Sequence, residues 1–375
     1  MTPLVPEKVP PPSTTDDVHE PPVPVVLRPG DGVVVRAAAG LLPGSAFVGE
    51  IHRQLLEMLG YRVPDPQELV ARPGVAYLYL AEGEFDVWLD GSFPAHNVWL
   101  EGQRFDESRV GDHVTLLGRH HPVDLMTGWL ISKDFADEHG VYTLDALDRD
   151  PVALAEFDES DVFPGNGTAD IVAWSVGALP GDVAAAQAAF SGWDNIAVAR
   201  LGWDDRVEGA VSAIQQGIPV IAVTSSPSEL VAKLRPGHEV YWLGIEDFLD
   251  GSNPLGHPDG KLFSQFTRGL DGAGGHAPVS PDECPSAAAD PRGLCPLGWV
   301  ASTRTVAARA EFVASNPAAA ELLDAVFVPA ADISQALVRE AEGTDPAALA
   351  SEWIAANRAP AEEWLTAARA AADRP

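Results

Sequence analysis

The sequence predicts an α/β protein, and three observations predict it. Strand-like and helix-like stretches alternate: Gly32 to Ala39 reads as a first core strand, Phe47, Ile51, Leu55, Leu56 and Leu59 fall at helical spacing, and Tyr61-Arg62-Val63 starts another strand. Strand, helix, strand in that order argues a parallel sheet, because the helix carries the chain back to the same edge. Second, Ile218-Pro219-Val220-Ile221-Ala222-Val223-Thr224 is an apolar run of strand length, as expected of a buried strand. Third, the chain has 375 residues, 46% hydrophobic and 21% charged, an ordinary globular balance and enough length for two domains.

Composition bounds the partners. The formal net charge is -31. Such a surface repels phosphates, so nucleic acid and anionic membrane are poor partners, and the acidity reads as solubility. No run of about twenty apolar residues is present to span a bilayer. Residues 1–30 carry Pro3, Pro6, Pro10, Pro11, Pro12, Pro21, Pro22, Pro24 and Pro29 and few large apolar side chains. They cannot build a core, so they read as a Pro-rich disordered linker. A tether of this kind suits an exported protein, and we expect a signal segment and a lipid-bearing Cys to have stood before it. The expected location is extracytoplasmic, either tethered to the cell surface as a lipoprotein or secreted or periplasmic.

The two cysteines, Cys284 and Cys295, flank a short Pro- and Gly-containing loop and fit no Cys-x-x-Cys metal or redox pattern. We expect a disulfide closing that loop, which implies an oxidising compartment; two free thiols are the bland alternative.

Further elements follow in order. Gly74 to Ala81 is expected to extend into a strand carrying Tyr77 and Tyr79. Glu84 to Asn97 reads as a strand ending in a turn: Phe85, Val87 and Leu89 alternate with Asp86, Trp88 and Asp90, and Gly91 and Pro94 stop it. A strand end opening into a loop with Ser92, Phe93 and His96 is where an α/β protein keeps its ligand. Gly128 to Ile131 is a strand, Leu144 to Leu154 is helical, and Asp170 to Gly177 is a strand running into a loop. An Ala-rich helix covers Val183 to Phe190, and another runs from Val207 to Gln216. Ser225, Ser226 and Pro227, after Thr224, are the next candidate ligand-facing loop, and Glu239 to Leu243 is expected to be a strand. Residues 250–298 are Gly- and Pro-rich and expected to be mostly loop. Trp299 to Val306 returns to strand, and Glu311 to Val326 is helical with a fresh start at Asn316-Pro317. Helices over Pro346 to Arg358 and Pro360 to Ala372 end the chain.

Other constellations carry less. His113, His120 and His121 match no zinc spacing. Asp158 to Asp161 with Gly165-Asn166-Gly167 departs from a calcium loop. No nucleophile elbow, phosphate-cradling loop or dinucleotide fingerprint occurs, so we expect no enzyme and no cofactor.

The chain resembles the solute-binding proteins of glycine betaine/proline-type ABC importers. Gly83, Asp86, Val87, Pro94 and His96 fit that family's acidic strand and Trp-x-Pro-x-His turn. Ser132 to Val141, Gly217 to Val220, Leu234 to Gly237 and Val240 to Leu243 resemble its second lobe. Phe312 to Leu323, Asp332-Ile333, Ser351 to Arg358 and Glu363-Trp364-Leu365 are similar to its C-terminus. The resemblance covers about residues 33–372. It implies a type II periplasmic-binding-protein fold: lobe 1 from 31–128 plus 244–375, lobe 2 from 129–243, and a ligand cleft between them.

It also implies a site. Family members hold a quaternary ammonium in a cage of Trp faces, each worth about 0.5–2 kcal/mol, and give the carboxylate a His. His96 takes the His position, while Ser92, a position near Ala178, and Ser225 stand where the three Trp residues would be. Phe93 and Trp174 are candidates to rebuild the cage, and Gly177 and Thr224 complete the implied set. Hydroxyls in place of Trp suit a solute that donates hydrogen bonds. The implied function is a monomeric extracytoplasmic solute-binding protein that captures a small polar or zwitterionic solute and delivers it to an ABC permease. The alternative is a ligand sensor or scaffold on the same fold.

Overall fold

The computed structural model describes residues 28–174, 180–201, 203–249 and 275–372. The Pro-rich linker therefore lies almost wholly outside the described residues. In chain order the first elements are β1 (Ala37–Ala38), α1 (Ser45–Met58), α2 (Pro73–Glu82), β2 (Val87–Phe93), α3 (Asn97–Leu100), β3 (Val114–Leu117) and β4 (Met126–Ser132). Next come α4 (Lys133–His139), α5 (Leu144–Arg149), α6 (Pro151–Asp158), β5 (Ala169–Trp174), α7 (Pro180–Ser191), β6 (Ile196–Leu201) and α8 (Trp203–Gln215). Then follow β7 (Ile221–Ser226), α9 (Glu229–Lys233), β8 (Val240–Leu243), β9 (His276–Ala277), β10 (Cys295–Pro296) and β11 (Thr303–Arg309). The chain closes with α10 (Ala310–Ser315), α11 (Pro317–Ala325), α12 (Ala330–Ala341), α13 (Pro346–Ala356) and α14 (Arg358–Ala371).

Two sheets organise these elements. The first has the order β1-β2-β11-β3, the second β6-β5-β7-β4-β8, with β9 and β10 as a separate ribbon. Parallel pairs β1–β2, β5–β6 and β5–β7 sit beside antiparallel ones made by β11 and β4. The sheets are thus mixed, because β4 and β11 run in as returning segments and not through crossover helices.

Each sheet is apolar on both faces. In the first, Val87 and Leu89 enter a core with Phe47, Ile51 and Leu55 of α1 and the C-terminal helices. Trp88, between them, enters the opposite core with Ala76, Tyr77 and Leu80 of α2. The period of two is real, but it sorts side chains between two cores, so all of β2 is buried, Asp90 and Ser92 included. In the second sheet Trp129 and Ile131 face one core and Leu130 the other. Fully burying a side chain of this size adds about 1.5–3 kcal/mol.

Several expectations are corrected. Residues 74–81 form a helix: Pro73 begins α2 and Gly83, at φ 80°, ends it. Ala76, Tyr77, Leu80 and Ala81 share its buried face, a helical spacing that the Tyr-Leu-Tyr-Leu alternation disguised. The stretches 32–39 and 61–63 contribute only β1 and isolated bridges such as Val34–Arg62. Gly91 does not stop β2. A Cβ there would lie 2.3 Å from Thr305 Oγ1 and 2.8 Å from the Thr305 carbonyl oxygen, so glycine lets β2 and β11 approach. Strand β6 and helix α12 had no sequence-based expectation.

The Cys284–Cys295 disulfide is formed. Its segment, which the sequence reading grouped with residues 244–375, packs on the second sheet. Ala277, Cys284, Cys295 and Leu297 pack with Leu130, Val172 and Trp242 of the second sheet. The Trp242 and Ile245 N–H groups donate to the carbonyls of Glu283 and Pro296. Backbone bonding and apolar burial both hold this ribbon on the second core until residue 299, where the Trp299 ring lies tilted against Trp129, 4.6 Å between centroids.

The chain crosses between sheets twice. Leu125 and Ser302 form an antiparallel bridge with backbone bonds of 2.9 and 2.7 Å. This pair is the crossover.

Candidate ligand site at the crossover

Strand register places the two sequence-derived turns. Phe93, the last residue of β2, pairs with Thr303. Thr303 follows Ser302, which bridges Leu125. Leu125 precedes Met126, which pairs with Ser226, the last residue of β7. The turns after β2 and β7 therefore flank the crossover from opposite sheets. Both contain a cis X–Pro peptide, Phe93–Pro94 and Ser226–Pro227.

The first turn is built around His96. Its N–H donates to the Ser92 carbonyl at 2.7 Å. The Ser92 N–H donates to His96 Nδ1 at 3.1 Å, and the Tyr77 hydroxyl lies 3.0 Å from the same nitrogen. A backbone N–H can only donate, so Nδ1 carries the lone pair and the neutral ring keeps its proton on Nε2. The ring stacks on Trp88 at 5.7 Å and meets Tyr77 and Phe93 edge-on at 5.7 and 6.0 Å. It is buried, and burial pushes its pKa down to about 3. Ser92 and Phe93 are buried too, Phe93 inside the aromatic core beside α2.

The second turn is hydroxyl-rich. Thr224 Oγ1 and Ser228 Oγ lie 3.1 Å apart, and the Ser225 hydroxyl donates to the Pro227 carbonyl. Ser228 caps α9 by accepting from the Val231 N–H. Its own N–H donates to Ser334 Oγ of α12 at 3.1 Å, which ties the two halves together beside the turn. Trp174 ends β5. Val172 pairs with Ala222 in the parallel neighbour β7, so Trp174 and Thr224, each two residues further on, stand at one level. Gly177 and Ala178 lie outside the described residues.

Sequence reasoning missed the ion pair behind the first turn. Asp90 accepts from Arg304 Nη1 at 2.8 Å, from the Leu42 N–H at 3.0 Å and from the Ser45 hydroxyl. Asp90 is buried and Arg304 mostly so, and 214 residues separate them. An Asp within a buried strand was the only signal available. Asp124, on the first crossing segment, has one carboxylate oxygen buried without a partner. Burial raises its pKa to about 6, against backbone groups of Arg304 and Ala330 that act the other way.

The histidine and acidic clusters resolve separately. His113 Nε2 is 2.9 Å from Arg104 Nη1, while His120 and His121 contact each other. The Asp158 carboxylate accepts from the Asn166 and Gly167 N–H groups and so closes a turn. No helix among the described residues is long and apolar enough to cross a membrane.

Two double-faced sheets, a paired crossover and two turns that flank it define a two-lobed solute-binding protein. The profile of the family described as the substrate binding domain of ABC-type glycine betaine transport systems, OpuAC, matches residues 34–356, and the chain belongs to that family. The glycine betaine/proline betaine-binding periplasmic protein of Escherichia coli K12 is 25% identical over 308 residues, 82% of this chain and 80% of the relative. The glycine betaine-binding periplasmic protein OusX of Dickeya dadantii is 26% identical over 336 residues, 88% of each. Among solved structures, lactococcal OpuAC in its closed form with glycine betaine has a TM-score of 0.52 at 15% identity, covering 89% of this chain and 99% of its own. Borrelia burgdorferi ProX has a TM-score of 0.55 at 11% identity, covering 91% and 100%. These last two share the fold. The chain is an extracytoplasmic solute-binding protein of an ABC importer system.

Proposed function

We propose that the chain captures a small zwitterionic solute, betaine-like or a hydrogen-bonding derivative, between the turns after β2 and β7, and delivers it to its permease as a monomer without covalent chemistry. The register that brings both turns to the crossover carries this reading. Hinge closure then exploits contacts from both halves, since a ligand favours the state in which it touches more.

His96 is the carboxylate donor in this scheme. Its fixed tautomer offers Nε2–H, and its depressed pKa keeps it neutral at physiological pH. The relatives that share the family bind glycine betaine by name. Here Ser92 and Ser225 stand at two of the family's Trp positions, so the cation face of the site would draw on other groups, Trp174 among them. Gly177, Ala178, Thr224 and Phe93 complete the proposed lining.

Calorimetric titration with glycine betaine, proline betaine, choline, carnitine and hydroxylated amino acids tests the proposal. Micromolar binding of a methylated ammonium supports a rebuilt cage. Binding only of a hydrogen-bonding solute supports the derivative. Loss of at least tenfold in affinity for His96→Ala, with the fold intact, is expected in either case. One observation favours a second reading, a sensor or scaffold: Tyr77, Trp88, Phe93 and His96 pack on each other. Heat from none of these solutes would sustain that reading.

A further inference from the structure

A small cavity of about 20 Å³ lies in the first half of the molecule, beside Leu89 of β2. His52, His121, Arg304 and Thr305 all line it. Each of these residues carries a buried polar atom with no hydrogen-bond partner: His52 Nε2, His121 Nε2, Arg304 Nε and Thr305 Oγ1. Buried polar groups without partners are rare and costly, so four around one cavity need an explanation.

Their chemistry is fixed by what else they touch. His52 Nδ1 lies 2.9 Å from the Val48 carbonyl, which can only accept, so Nδ1 holds the proton and Nε2 a lone pair. The backbone groups of Asp324 and Ala325 beside the His121 ring favour its protonated form, and with Nε2 unpartnered we assign the proton of the neutral ring to Nδ1. Arg304 Nε–H is a donor, its Nη atoms being spent on Asp90 and the Pro43 carbonyl. The Thr305 hydroxyl can donate. The residues around the cavity thus hold two unpartnered acceptors and two unpartnered donors.

We propose that this cavity is a site for a single internal water, which donates to His52 Nε2 and His121 Nε2 and accepts from Arg304 Nε and Thr305 Oγ1. The size fits, since one water needs about 10–15 Å³ by the same measure. The valence selects the ligand. The Arg304 guanidinium opposes a metal cation, and two imidazole lone pairs oppose an anion. Water alone among small species donates twice and accepts twice. Because Arg304 also clamps Asp90 of β2, the water completes the network that holds the ligand strand in place.

An atomic-resolution crystal structure of the full chain tests this. The expected result is one ordered oxygen at roughly 2.7–3.2 Å from all four atoms. A dry cavity, a bound ion, or rings turned so that either Nε2 meets a protein donor would overturn it. Oxygen-17 relaxation dispersion in solution gives a second reading. Loss of one long-lived water in His52→Phe, or in the milder Thr305→Val, is expected. An unchanged count in a folded variant of either kind argues against the site. Nitrogen-15 shifts of the wild-type protein must show both rings neutral with the proton on Nδ1; an Nε2–H form of either ring sinks the proposal without any variant.

Discussion

His96 and His52 set the behaviour of this protein in acid. Both are buried, with pKa values pushed down to about 3 and about 4. The unfolded chain binds protons near 6.5, so between that pH and the folded values it holds more protons than the native state. The contribution of these two histidines is therefore full above about pH 6.5 and falls as pH drops, by up to about 1.4 kcal/mol per pH unit per group. Thermal unfolding from pH 7 to 4 should show this slope, and His96→Gln should flatten it. Asp124 has the opposite sign. Its folded pKa of about 6 lies above the unfolded value, so its charge weakens the fold increasingly above pH 4. Asp124→Asn should raise stability at pH 8 by roughly 1–3 kcal/mol and do nothing at pH 4. A Tm that moves equally at both pH values would refute that assignment. Removing one partner of the Asp90–Arg304 pair leaves a buried charge alone, so Asp90→Ala should cost roughly 3–5 kcal/mol in urea titration.

At the scale of elements, β2 and β11 decide the geometry of the first turn. Their approach at Gly91 is closer than a Cβ permits. Gly91→Ala should force the strands apart or shift Thr305, costing about 1–3 kcal/mol. Because Ser92 follows directly, solute affinity should fall along with stability; calorimetry showing intact affinity would separate β2 from the site. Much of this level was legible. The helical spacing of Phe47, Ile51, Leu55 and Leu59 gave α1, and Asn316-Pro317 marked the start of α11. Residues 74–81 were misread because tyrosine and leucine suit strand and helix alike, and their long-range contacts choose between the two. Gly91 was misread because glycine in a strand can mean an ending or a close approach.

For the whole molecule, the second core depends on the ribbon stapled by Cys284–Cys295. Reduction should destabilise that half by about 2–4 kcal/mol, seen as a lowered Tm in dithiothreitol that a Cys284→Ser, Cys295→Ser double variant reproduces. An unchanged Tm would mean that apolar packing alone holds the ribbon. A disulfide here also accords with the extracytoplasmic location.

The sequence by itself determined the α/β class, the family and the turns around His96 and Ser225, because periodicity, turn residues and local motifs are written within a few positions of each other. The sequence also led to the expectation of a Cys284–Cys295 disulfide, with free thiols as the alternative, and the structure contains it. Only the tertiary structure decided that residues 276–297 join the second core, that Asp90 meets Arg304, and that the two turns flank one crossover. Each of those joins residues far apart in the chain, and no local spacing encodes a partner that burial and register select.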